Sequence, residues 1–475
     1  PLLTQISQPT MLPQLCVQPD FANMLCFETE GRYNSSIPLV REFMQSKGKQ
    51  AFKKLQQLCT LKKEKAGAQQ IGPRFSVNGK SLDPLIYHNC EATALSSAKR
   101  QMMSLPHPDQ NIVAQFKRWF EEYELPNIKK MLDEHFVNIY NLWFNTLRAN
   151  QQRDFGQISD KMENDPTYRA SLLPNKPHNR RRYKNFGKKE RLPQFLEPPK
   201  TRCISNPEDY VKYVMGPATR CLEYIFKEHL QGYCGGKSTE DLANYYGECE
   251  DLGFTFTADW DGTGFDLTQW LELKEIVDSA IYRHIAPMIQ HVTPAEFLRV
   301  TLNFLSTTLV QTHLKDSTLT LMIFEQFGKV HSGDMDTTVM NTLRMLMYLK
   351  FIMWLAGYQM NVHYRPLVKG DDSEVFMKGI QISKFKDAFF RVYTRDRYAK
   401  MHGLGQVAKF LHFGRIDDLS FCSTHTVKLS NGYLLTRQLS RFLQLTPFCE
   451  SMVAYNDPVI KKYIAYSIAE AALTW

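Results

Sequence analysis

Residues 362–377 constrain the chain more tightly than any other stretch. An apolar run from Val362 to Val368 meets Gly370-Asp371-Asp372, and a second short run, Glu374 to Met377, follows at once. Two extended segments joined by a glycine and carboxylates predict strand, tight turn, strand. Gly and Asp are common turn formers, so this hairpin taken alone fixes local structure and no chemistry.

A second extended segment lies upstream. Phe254, Phe256, Ala258 and Trp260 alternate with Thr255, Thr257, Asp259 and Asp261. That period of two predicts a half-buried strand with one polar face, ending at Asp261. A long helix is expected from Thr268 to His284 and another from about Thr337 to Ala356. The chain to about residue 170 reads as helical and polar. Lys47–Lys65 carries seven lysines, best taken as a solvated helix face, and Ala114–Arg148 has apolar residues at helical spacing. A last helical stretch is expected near Ile464–Leu473. Between Lys176 and Arg202 stand ten Lys or Arg against two Glu, broken by Pro177, Pro193, Pro198 and Pro199. Prolines there predict a loop or irregular hairpin, and its one-sign charge suggests a phosphate-binding surface.

At 475 residues the chain exceeds one compact core, so two or three subdomains are expected. The formal net charge of +9 suits a polyanionic partner without requiring one. Ten scattered cysteines form no pair of C-x-x-C motifs, which argues against a zinc site and for reduced thiols in an intracellular setting. The most apolar stretch, Val339–Tyr358, contains Asn341, Arg344 and Lys350, so a soluble helix is expected and no transmembrane segment. The first residue is Pro1, which implies a processed product, a piece of a larger protein or a trimmed chain.

The chemistry begins when the carboxylates are considered together. A strand end and a neighbouring hairpin tip can bring Asp261, Asp371 and Asp372 to one point, with Asp259 on the same strand face as a fourth candidate. Clustered carboxylates repel unless cations neutralise them, and Mg²⁺ takes one or two carboxylates plus substrate phosphates. Two such ions roughly 3.5–4 Å apart would clamp the attacking and leaving oxygens of a phosphoryl transfer. A third element is Ser332-Gly333-Asp334-Met335-Asp336-Thr337-Thr338-Val339-Met340-Asn341. A small-residue loop leads into a helix there. Asp334 or Asp336 is expected to cap it, and Thr337 and Asn341 share one face.

The order D-x4-D (Asp261, Asp266), then S-G-D-x-x-T-x-x-x-N, then G-D-D resembles motifs A, B and C of positive-strand RNA virus RNA-dependent RNA polymerases. Ser332-Gly333-Asp334-Met335 looks most like the tombusvirus-like branch. The resemblance extends outward. Phe186-Gly-Lys188-Lys189-Glu190 with Lys200-Thr-Arg202-Cys-Ile204 looks like motif F, and Leu419-Ser-Phe421-Cys422-Ser423 like motif E. Tyr87-His88-Asn89 with Lys99-Arg100 resembles a fingers segment. Together these cover about residues 85–430.

The resemblance implies an α+β chain with a right-hand polymerase fold of fingers, palm and thumb, its antiparallel palm sheet flanked by helices. The boundaries it implies are 1–245 for the N-terminal extension and fingers, with the basic segment 176–202 as a nucleotide tunnel. Residues 246–272 are palm (motif A), 273–330 a fingers insertion, 331–428 palm (motifs B to E) and 429–475 a compact or incomplete thumb. It implies RNA-dependent RNA synthesis from rNTPs, replicating a viral positive-strand RNA genome, with two Mg²⁺ ions, or Mn²⁺ as substitute, held by Asp261, Asp371 and Asp372. Lys188, Lys189 and Arg202 would hold the triphosphate. Ser332 and Gly333 would contact substrate. Asp266, Thr337 and Asn341 would sense the ribose 2′-hydroxyl. The general acid of motif D would be Lys409, with Lys400 the alternative. Partners would be template and nascent RNA and other viral replication proteins, at membrane-associated sites in the host cytoplasm reached through a partner or a missing segment.

Three other readings compete. A reverse transcriptase usually carries Y-x-D-D, where this chain has Lys369-Gly370-Asp371-Asp372. A glycosyltransferase using Asp259-Trp260-Asp261 leaves the other motifs unexplained. An inactive RNA-binding protein with a polymerase fold need not keep clustered carboxylates.

Overall fold

The structure is a computed structural model. It describes residues 105–137, 139–171, 181–187, 203–302, 307–313, 320–327, 330–418, 420–430 and 432–437. It also describes the pairs 33–34, 69–70, 76–77, 80–81 and 448–449 and residues 458 and 462. The expectations for Lys47–Lys65, Tyr87–Asn89, Lys99, Arg100, Lys188, Lys189, Arg202, Leu419 and Ile464–Leu473 lie outside the described residues.

The strands used below are β1 (Arg181–Gly187), β2 (Cys203–Pro207), β3 (Phe256–Gly262), β4 (Thr307–His313), β5 (Thr320–Phe327), β6 (Tyr364–Lys369), β7 (Asp372–Met377), β8 (Tyr393–Thr394), β9 (Gln406–Arg415), β10 (Ser420–Phe421), β11 (Thr424–Leu429) and β12 (Gly432–Arg437). The helices are α1 (Gln110–Trp119), α2 (Leu125–His135), α3 (Asp209–His229), α4 (Thr239–Asp251), α5 (Thr337–Leu355) and α6 (Ile382–Val392).

The central sheet has the order β6-β7-β3-β9-β8. Its first four strands pair antiparallel, and the two-residue β8 joins β9 in parallel. The sheet is therefore mixed, antiparallel over its four longer strands, where the resemblance implies a wholly antiparallel one. Its β6 edge is not left open. Val368 donates to the Gly232 carbonyl at 2.8 Å, and Cys234 donates to the Val368 carbonyl at 3.0 Å, which pairs backbone groups that an edge strand would otherwise expose. A second sheet runs Tyr33–Asn34, β5, β4, β1, β2. Here β1 and β2 pair antiparallel from Tyr183↔Pro207 to Gly187↔Cys203. Of the basic segment 176–202 only β1 is described; β2 begins directly after it, and the rest of the segment lies outside the described residues.

Side chains alternate across the central sheet. One face presents Ala258, Trp260, Val375 and Met377 to α5 and α6. Trp260 is 1% exposed, with its ring 5.3 Å edge-on to Phe389 and 6.5 Å from Phe385. The opposite face carries Asp261, Asp259 and Thr257 on β3, and Asp372, Glu374 and Phe376 on β7. The expectation of one wet polar face fails below Asp261. Thr257, Asp259 and Glu374 are buried. Helix α4 and the β11–β12 hairpin lie over this end, joining Leu242, Tyr246, Tyr433 and Leu435 to Leu367 and Phe376 in one apolar cluster. A polar alternation read from sequence reports side-chain direction; it does not report what a distant segment lays over it.

The helix expected from Thr268 to His284 is also corrected. It is divided into Phe265–Thr268, Leu271–Ile276 and Asp278–Ile285. Gln269 breaks it because its side-chain amide is drawn back to the Phe265 carbonyl at 2.9 Å, inside a buried polar network described below. Helix α5 agrees with expectation and is buried from Val339 through Met353. Its charges are matched: Lys350 donates to Glu124 at 2.7 Å, and Arg344 pairs with Asp278. Glu124 comes from a π-helical turn, Phe120–Glu124, between α1 and α2. Among the described residues no helix is long and apolar enough to cross a membrane. Four described cysteines, Cys221, Cys234, Cys249 and Cys422, are free.

Candidate active site

The β6–β7 hairpin closes through Gly370-Asp371, since Lys369 and Asp372 are Cα partners. Gly370 has φ +64°, and Asp371 is not among the positive-φ residues. A positive φ at the first central position suits the right-handed twist of a hairpin and favours glycine there. Its N–H is anchored from α5, where the Thr342 hydroxyl accepts it at 2.8 Å. Asp371 is thereby left exposed at the tip.

Asp372 and Asp261 are direct Cα partners across β7 and β3. Burial pushes the Asp372 carboxyl up to about 6, and the neighbouring charges of Asp371 and Asp261 push the same way. Asp261 is raised by burial too, opposed by the Lys409 ammonium that it binds. Lys409 reaches Asp261 because β9 has a register irregularity between Ala408 and Phe410, which re-aims the intervening side chain. Lys400 stands outside β9, and its carbonyl accepts the His107 N–H at 2.9 Å. No three His, Cys, Asp or Glu side chains among the described residues form a finished metal cage. Two paired carboxylates and a third at a turn tip are nevertheless an all-oxygen set of the kind Mg²⁺ completes with phosphates and water. Their mutual repulsion, partly neutralised by Lys409, marks a place where added positive charge is favourable.

Asp259 lies one pleat deeper, 6% exposed, with His412 Nδ1 at 3.6 Å. Burial raises its carboxyl to about 6. Beside it Glu374 is fully buried, accepts a hydrogen bond from the Tyr246 hydroxyl, and is pushed by burial to about 8. Asp259 therefore belongs to the covered end of the sheet, one row below the paired carboxylates at its mouth.

The loop before α5 is anchored differently from expectation. Asp336 occupies the N-cap position but makes no side-chain cap; its carboxylate binds the Tyr282 hydroxyl. Asp334 accepts the His331 N–H at 2.9 Å and the Tyr183 hydroxyl at 2.7 Å. The capping reading fails because both aspartates have stronger calls on them from tyrosines of other elements. Gly333 packs on β2 so closely that a Cβ there would collide with the Ser205 carbonyl oxygen. Ser332 is exposed at the loop. Thr337 donates its hydroxyl to the His331 carbonyl at 2.7 Å, so it braces the loop. Asn341 Nδ2 donates to Asp266 Oδ1 at 2.8 Å. Of the three residues expected to sense ribose, these two are joined, and Thr337 is held elsewhere.

The β10–β11 turn also reaches the site. Cys422 (φ 52°) and Ser423 (φ 62°) both adopt left-handed conformations, unusual for residues with side chains. The Cys422 thiol meets Asp372, and burial with that carboxylate holds it well above the usual thiol range. Sequence reasoning missed Thr342, Gln269 and the local role of Arg344. For Thr342 and Arg344 the available signal was their polarity on an otherwise apolar helix; Gln269 carried none.

No protein-family model matches the chain, and no curated protein matches it. Among solved structures, the chain is similar to a sicinivirus 3Dpol RNA-dependent RNA polymerase. The identity is 14% and the TM-score 0.44, over 68% of this chain. The match spans 66% of that structure's length.

Proposed function

We propose that this chain is an RNA-dependent RNA polymerase of a positive-strand RNA virus, of the tombusvirus-like branch, with the fingers, palm and thumb divided as the sequence motifs imply. The observation that carries the reading is the pairing of Asp261 with Asp372 across two strands, with Asp371 at the adjoining tip and the Asn341–Asp266 pair beside them. Two bound Mg²⁺ ions would supply charge neutralisation and an acidified primer hydroxyl. Asp261, Asp371 and Asp372 are the residues to hold them, and Mn²⁺ has the same ligand preference for oxygen.

The chain's own residues do the rest. Thr342 fixes the turn that carries Asp371. Lys409 shields Asp261, and the proton for departing pyrophosphate is assigned to it from the sequence motif. Asn341 and Asp266 form a hydrogen-bonding edge for the ribose 2′-hydroxyl. A site built to bond a hydroxyl rejects the analogue lacking it, which favours rNTPs. Lys188, Lys189 and Arg202 are assigned to the triphosphate from the sequence motif, and Ser332 and Gly333 to the substrate. Template and nascent RNA, rNTPs and other viral replication proteins are the partners of this reading, at host cytoplasmic membranes.

The test is RNA synthesis on a short RNA template with Mg²⁺ and labelled rNTPs, comparing the wild type with Asp371→Asn. Asp371 is exposed at a turn tip, so the variant should fold normally and lose at least about 10²–10³-fold of activity. Equal product from both would refute the assignment of the carboxylates. RNA binding without synthesis by the wild type would favour the inactive-scaffold reading.

A further inference from the structure

Asn341 sits in a buried polar network that extends beyond Asp266. Its Oδ1 accepts from Arg344 Nη2 at 2.5 Å. Arg344 is 1% exposed, and it also donates through Nε to Gln269 Oε1 at 2.9 Å and through Nη1 to Asp278. Gln269 in turn accepts from the Tyr348 hydroxyl at 2.9 Å and donates to the Phe265 carbonyl at 2.9 Å. Phe265 immediately precedes Asp266. One guanidinium therefore holds Asn341 directly and holds the backbone beside Asp266 through Gln269.

An Asn side chain has an oxygen end and a nitrogen end of nearly equal shape, so its orientation is set by its partners. Arginine can only donate, and an ionised carboxylate can only accept. Between Arg344 and Asp266 only one orientation satisfies both sides: Oδ1 toward Arg344, Nδ2 toward Asp266. Reversed, the amide would set NH₂ against guanidinium and oxygen against carboxylate, inside a region where unmatched polar groups are costly. On the polymerase reading, the second hydrogen on Nδ2 would be the donor offered to the ribose hydroxyl.

We infer that Arg344 is a positioning residue for sugar selection, fixing the Asn341 amide and the Asp266 backbone as one hydrogen-bonding edge. The inference rests on the polymerase reading and deepens it. Its planar fork makes three directed contacts, which a lysine ammonium on a flexible stem cannot reproduce. Asp278 cancels the buried charge, so Arg344 sets direction near the sugar without adding net charge there.

The experiment measures the ratio of kcat/KM for an rNTP to that for the matching dNTP on one RNA template. Four proteins besides the wild type are needed: Asn341→Ala, Arg344→Lys, Arg344→Met, and Arg344→Met combined with Asp278→Leu. The ratio is taken within each preparation, so a smaller folded fraction leaves it unchanged. Arg344→Lys keeps a positive charge for Asp278, and the double variant removes the Arg344–Asp278 pair together, leaving buried Lys274 to the nearby carboxylates Asp334 and Asp336. The expected result is a ratio lowered about tenfold in all three Arg344 proteins, the worth of one lost directional hydrogen bond, with the larger loss in Asn341→Ala. Recovery of the wild-type ratio in the double variant, or an unchanged ratio in Arg344→Lys, would overturn the inference while leaving the ribose-sensing reading intact. An unchanged ratio in Asn341→Ala would overturn both, and so would absence of synthesis by the wild type.

Discussion

The two faces of the central sheet are built from the same strands and obey different rules. Toward α5 and α6, β3 and β7 present Ala258, Trp260, Val375 and Met377, all buried. That interface is hydrocarbon packing, and each side chain there is worth what it removes from water. On the other face the same strands present Asp259 and Glu374 beneath α4 and the β11–β12 hairpin, and Asp261 and Asp372 at the mouth of the sheet. Those groups cost energy to bury, and burial raises the carboxyl pKa of each of the four. The first face holds the strands in register; the second uses that register to hold carboxylates closer than they would choose to stand.

Disturbing either face should give a different kind of failure. The largest loss of stability is expected from Trp260→Ala, which empties a fully enclosed aromatic site. It should lower unfolding free energy by about 3–5 kcal/mol in urea titration. A cost under about 1 kcal/mol would mean that the apolar face does not set the register.

A smaller, pH-dependent effect is expected at Glu374. The unfolded chain releases this proton near 4.5, and the folded protein keeps it up to about 8. Between those values the folded form binds the extra proton, so this group's contribution falls as pH rises and is lost above 8. Glu374→Gln keeps an acceptor for Tyr246 and removes the titration. Its urea midpoint should match the wild type at pH 4.5 and exceed it at pH 8.5. Parallel pH profiles for the two proteins would show that Glu374 ionises freely.

The smallest effect on stability is expected from Thr342→Val, about 1 kcal/mol, because one acceptor for the Gly370 N–H is lost. Its effect on RNA synthesis should exceed its effect on the urea midpoint, since the turn carrying Asp371 is what that bond restrains. Equal fractional losses would make Thr342 an ordinary packing residue.

The hairpin, strand β3 and helix α5 were legible because each rests on a local pattern: period two, turn chemistry, and a long apolar run. The same patterns singled out Asp261, Asp371, Asp372 and Asn341, and the motif resemblance added Asp266. What stayed hidden was tertiary. Nothing near Thr268 announces that Gln269 will fold back on Phe265 and divide the helix. Asp336 has the identity of a capping residue, and only Tyr282, 54 positions away, takes it out of that role. The alternation at 254–261 gave the right directions and could not show the cover, because the segments laid over this end of the sheet come from residues 239–251, 424–429 and 432–437.

Asn341 and Thr342 are consecutive on α5, yet one holds Asp266 and the other holds Gly370. Helix α5 is buried from Val339 through Met353, so both bonds depend on how that one helix is seated. A roll that loosens the Asn341–Asp266 bond would also slacken the Thr342–Gly370 tether. The two fittings share one axle, so on the polymerase reading proposed above an ill-fitting sugar and a misplaced acid would be one mechanical event.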